Sequence, residues 1–117
     1  MTMMRLSFVA ALLVTACTRN TTSPAELVLA LTNSGLHVDK KDELPPREEW
    51  VGAEMGVDLV LDYEEAYTAV RFPSADLART YCQGGQQAVQ FGSWCIEPHA
   101  HPPREETWKK VATLGTR

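Results

Sequence analysis

The spacing of apolar positions changes several times along this chain, and each change marks an element. At Ser23-Pro24-Ala25-Glu26 the serine hydroxyl can accept from the Glu26 amide, Glu26 can reach back, and proline takes the first helical position. Leu27, Ala30 and Leu31 then share one face with Val28 beside them, and Gly35 closes the run, so the pattern predicts a helix over 24–34. Leu36-His37-Val38 reads as a short extended segment, and Lys40-Lys41-Asp42-Glu43 with Pro45-Pro46 as a solvated loop. From Met55 to Asp62 the period drops to two, with Val57, Leu59 and Leu61 on one side and Asp58 and Asp62 on the other, which is a half-buried strand. Tyr63 to Glu65 provides a turn, and Tyr67 to Phe72 returns as a second strand with Val70 and Phe72 inward. Ser74 caps a second helix, Ala75 to Gln83, with Leu77, Ala78, Tyr81 and Cys82 as its apolar stripe and Gly84-Gly85 at its end. Ala88 to Ile96 reads as a third long strand with Val89, Phe91 and Cys95 on one face.

This order of elements predicts an α+β domain: a small antiparallel sheet with two helices packed on one face, a ferredoxin-like layer arrangement lacking the usual first strand. The domain is expected over 23–98. A tail, 99–117, adds a short helix near Glu105 to Leu114, with Glu106 and Lys110 spaced for a pair and Trp108 docked on the domain. A chain of 117 residues holds one such core, and 44% hydrophobic with 22% charged residues is an ordinary globular balance. The formal charge of -4 sets aside nucleic acid and anionic lipid as main binding partners.

Residues 1–16 have a different character. Arg5 precedes an apolar run from Leu6 to Val14, far shorter than the roughly 20 residues a spanning helix needs, and small residues then lead to a cysteine. Val14-Thr15-Ala16-Cys17 resembles the lipobox of bacterial lipoproteins, with valine in place of the commoner leucine. The resemblance covers only the leader. It implies a signal peptide over 1–16, a diacylglycerol on the Cys17 thiol and a mature chain that begins there, anchored to a membrane outside the cytoplasm. Thr18, where aspartate would favour inner-membrane retention, implies the periplasmic side of the outer membrane in a Gram-negative host. The tether, residues 17–22, reaches about 20 Å when extended, so the domain is expected to stay close to the bilayer.

With Cys17 acylated, Cys82 and Cys95 are an even pair in an exported small domain, which favours a disulfide. Cys82 lies on the helical stripe and Cys95 on the strand face expected to meet it. Closing a loop of about 14 residues would contribute about 3 kcal/mol. A redox-active pair would require Cys-X-X-Cys spacing.

Few residues suggest further chemistry. On an extended strand, His99 and His101 would point to the same side and could share a metal or small ligand, but a site needs another donor such as His37 or Glu97, and the flanking prolines favour a solvated connector. Asp58, Asp62, Glu64 and Glu65 match no calcium loop and lack an acid partner, so a solvated face is expected. Ser34-Gly35, Gly84-Gly85 and Gly92-Ser93 fit neither a phosphate loop nor a nucleophile elbow. No catalytic residue and no cofactor is expected. The expected function is a non-enzymatic module that binds an envelope protein or supports an assembly through the uncovered sheet face or the tail. Trp50, Trp94, Tyr63 and Tyr67 are its aromatic contact candidates, with burial in the domain as the alternative for each.

Overall fold

A computed structural model describes residues 22–84 and 87–116; the expected leader, Cys17, the expected tether up to residue 21, and Gly85 lie outside the described residues. Helix α1, Pro24–Asn33, begins with the expected capping box: Ser23 Oγ accepts from the Glu26 amide at 3.1 Å, and Glu26 Oε1 accepts from the Ser23 amide at 2.8 Å. It ends in a Schellman motif, with the Gly35 amide on Thr32 O, the Leu36 amide on Leu31 O, and Gly35 at φ +96°.

Strands β1 (Val38–Leu44), β2 (Met55–Leu61) and β3 (Glu65–Arg71) form an antiparallel meander. Helix α2 (Ala75–Gln83) follows, then β4 (Val89–Phe91), β5 (Trp94–Pro98), helix α3 (Glu105–Ala112) and a 3-10 turn, Thr113–Thr116. The strand order is β1-β2-β3-β5-β4, with every neighbouring pair antiparallel. Strand β4 therefore runs parallel to β3 with β5 between them. This split β-α-β unit is the part of a ferredoxin-like topology that the chain retains.

The α+β class, the antiparallel sheet and two helices on one face are all present, but the helix that joins α1 there is α3. Alternation along the strands separates the two faces. Val57, Leu59, Leu61, Tyr67, Ala69, Trp94 and Ile96 share a buried cluster with Leu27 and Leu31 of α1, Val111 of α3 and Leu114 after it. The intervening residues Val70 and Cys95 cluster instead with Phe72, Ala78 of α2 and Trp50. Helix α2 thus covers part of the opposite face. Each large aliphatic side chain taken fully out of water contributes about 1.5–3 kcal/mol, so the face closed by α1 and α3 carries most of the stability.

Three expectations change. The charged run Lys40 to Glu43 lies in edge strand β1 rather than a loop, with an irregularity between Lys40 and Glu43. An edge strand pairs on one side only, so four consecutive exposed charged residues are tolerated there and discourage pairing with other chains. The long strand 88–96 is a hairpin, because Gly92 at φ +58° turns the chain so that Phe91 faces Trp94. Val89 and Cys95 consequently lie on opposite faces. The tail belongs to the fold, with Val111 at 0% exposure; Trp108 packs against the same cluster, as expected. Lys110 donates to Gly35 O instead of pairing with Glu106, and the i,i+4 contact is Lys109 with Glu105.

Candidate functional site

On the face carrying α2, the ladder sets Asp58 of β2, Thr68 of β3 and Glu97 of β5 in one cross-strand row. Pairing continues past the end of β5, where the His99 amide donates to Ala66 O at 3.0 Å. His99 therefore falls on the same face as Glu97, two residues earlier. Thr68 Oγ1 donates to Asp58 Oδ1 at 3.1 Å and lies 2.6 Å from His99 Nε2. A hydroxyl has one proton, and here it goes to Asp58, so His99 must donate its Nε2–H to Thr68. The arrangement orients the imidazole.

Beside this row lies a recess of about 390 Å³, lined by Arg47, Trp50, Thr68, Glu97, His99 and His101 among others. Trp50 forms its wall by resting on Gly56, where an added Cβ would lie 2.5 Å from the indole ring. The Arg47 guanidinium sits 4.8 Å from the centre of that ring. A second recess of about 580 Å³, lined in part by Lys40, Asp42, Val60 and Ala66, shares His99 with the first.

Burial pushes the Glu97 carboxyl above the usual carboxylate range, against the opposing influence of the Tyr81 hydroxyl and then of His101 and His99. Tyr81 OH donates to Glu97 Oε1 at 3.4 Å. Its own pKa is pushed up to about 12, by burial first and then by the Glu97 charge. The recess thus holds a carboxyl that takes up a proton readily, two imidazoles and a guanidinium. It is suited to holding polar groups of a partner or ligand by hydrogen bonds and charge. Among the described residues, no group of three or more His, Cys, Asp or Glu side chains is placed to hold a metal ion.

Cys82 and Cys95 are bonded, with Cα atoms 5.6 Å apart, joining α2 to β5 as expected. The bond is consistent with an oxidising, extracytoplasmic location. His99 and His101 reach the same recess as Glu97, whereas His37 stacks on Tyr63 with ring centres 3.9 Å apart and lies 3.5 Å from Asp39.

The acidic residues disperse. Only Asp58 joins the row. Asp62 Oδ1 accepts the His37 amide at 3.0 Å, while Glu64 pairs with Arg104 at 2.6 Å and Glu65 accepts the Arg104 amide at 2.9 Å, all holding the hairpin against neighbouring segments. Of the aromatic candidates, Trp94 and Tyr67 are at 0% exposure and Trp50 at 6%, which makes them interior residues. The Tyr67 hydroxyl has no hydrogen-bond partner among the described residues, and burial, followed by the charges of Glu65 and Asp62, drives its pKa upward. Tyr63 remains outside at 74% exposure, with left-handed backbone at φ +70°. Thr68, Tyr81 and Arg47 had no sequence signal, because their roles depend on strand register and on how α2 crosses the sheet.

No family model, curated protein or solved structure matches this chain.

Proposed function

We propose that this chain is a lipid-anchored, non-enzymatic lipoprotein of the cell envelope, and that the half-open sheet face around Thr68 receives an envelope protein partner. The observation that carries the reading is the contrast in finish: on a face that α2 only partly covers, the Asp58–Thr68–His99 chain orients an imidazole at the rim of a recess open to solvent. The Cys82–Cys95 bond supports export, and the leader with Cys17 supplies the anchor. Alternatively the recess takes a small ligand or metal between His99 and His101, which both line it.

A photo-crosslinking residue replacing His101, in cells that export the protein, should give a discrete adduct that Thr68→Val abolishes without lowering the melting temperature. The same residue at Leu29, 59% exposed on α1, should give none. Equal labelling at both positions would remove the binding role from this face. Zinc retention in dialysis that is lost in a His99→Ala/His101→Ala variant would favour the ligand reading instead. Mass spectrometry of the native chain should find diacylglycerol on Cys17.

A further inference from the structure

We infer that the domain stands on the bilayer with the turn between β4 and β5 toward the lipid and the 61–65 hairpin pointing away. This rests on the lipid reading of Cys17, and it adds an orientation which that reading does not contain. The first described residue, Thr22, is held at one place on the fold: its amide donates to Ser93 Oγ at 3.3 Å, and its carbonyl accepts from Trp94 Nε1 at 3.0 Å. Both partners are fully buried, at 0% exposure, so they give the chain a rigid point of departure. Cys17 is five residues earlier, and five extended residues span about 17 Å at most. The turn at Gly92 and Ser93 therefore cannot move farther than that from the acylated thiol.

The strand register shows which end of the sheet this is. Trp94 pairs with Arg71 and Phe91, and Arg71 with Met55, so these residues form the end near the tether. At the other end Leu61 pairs with Glu65 and Val38, and Tyr67 with Pro98. The seven residues of β3 separate the two ends by about 20 Å, comparable to the full reach of the tether.

At the far end Arg104 pairs with Glu64 and approaches Glu106, Lys109 pairs with Glu105, and Lys110 donates to Gly35 O. Near the tether, Arg71 pairs with Glu54 and Arg79 with Asp76. In this orientation Tyr63 with its His37 stack, and the rim of the recess at His99, are displayed away from the membrane.

The test uses the native lipid-bearing chain, isotopically labelled and reconstituted into nanodiscs with gadolinium-headgroup lipids. Amide signals of Phe91, Gly92 and Ala75 should be attenuated severalfold more than those of Tyr63, Glu64 and Glu106. Equal or reversed attenuation overturns the orientation. Inserting about ten Gly-Ser residues before Thr22 should reduce the contrast while leaving the fold's spectrum unchanged, because the reach then exceeds the domain. An unreduced contrast overturns the role of the short tether. The intact mass separates the two ideas: a chain without diacylglycerol overturns both, whereas a lipidated chain with reversed attenuation overturns the orientation alone.

Discussion

The two faces of the sheet use similar strand residues for different ends. On the face under α1 and α3, alternate positions of β2, β3 and β5 are filled by Leu59, Tyr67, Ala69, Trp94 and Ile96, each at 1% exposure or less. On the other face the same strands carry Val70 and Cys95 beneath α2, Glu97 at its edge, bonded to Tyr81, and Asp58 and Thr68 farther along the row. The first face is closed mainly by packing. On the second, packing and a disulfide secure one half, and hydrogen bonds order the half left open. Most of the stability is thereby placed on one side of the sheet and the recess proposed to receive a partner on the other, so that residues on the open half can change without loss of the core.

The largest test of this division is on the closed face. Trp94→Ala should cost about 3–5 kcal/mol in denaturant unfolding and also release Thr22, whose carbonyl it holds. A small loss there would mean that the closed face is not the main source of stability. Removing the disulfide with Cys82→Ala/Cys95→Ala should cost about 3 kcal/mol, because the unfolded chain regains the freedom of the closed loop. That loss should leave the α1 and α3 face intact, which hydrogen exchange can read at Leu59 and Ile96.

Gly56→Val probes the boundary between the covered and open halves. Its side chain would enter the space of the Trp50 ring, so a loss of about 1–3 kcal/mol is expected together with displacement of the indole from the recess wall. Indole fluorescence would report the displacement, and an unchanged spectrum would contradict the seating of Trp50 on Gly56. The smallest effect concerns Glu97. Its carboxyl is held above the ordinary range, so the folded state binds that proton more tightly than the unfolded chain does. Its contribution to stability is full below the usual carboxylate range and is lost as pH rises through the raised value. Glu97→Gln should therefore raise Tm slightly at neutral pH and lose that advantage in acid. An equal gain at pH 3 would show that the carboxyl is not perturbed by burial.

The elements that could be read locally were those whose signals are local. The capping box at Ser23, the closing Gly35, the period-two run in β2 and the Ser74 cap all depend on neighbours within a few residues, and each lies where expected. Edge strand β1 was hidden because its charged residues look like a loop until a pairing partner is known. The β4–β5 turn did have a local signal in Gly92-Ser93, but an otherwise continuous apolar run masked it. In the candidate site, His99 and His101 stand out as a pair of imidazoles. Thr68 and Tyr81 do not, since neither is unusual until register brings it to Glu97 or His99.

By itself the sequence determined the α+β class, the ends of α1 and α2 and the pairing of Cys82 with Cys95, because caps, periodicity and cysteine arithmetic act over short range or without reference to shape. Only the tertiary structure decided that α2 and α1 lie on opposite faces, that the tail helix completes the core, and that Asp58, Thr68 and His99 form one hydrogen-bonded chain. Those outcomes depend on strand order and register. In a sheet whose side chains alternate with a period of two, a shift of one residue moves every group to the other face.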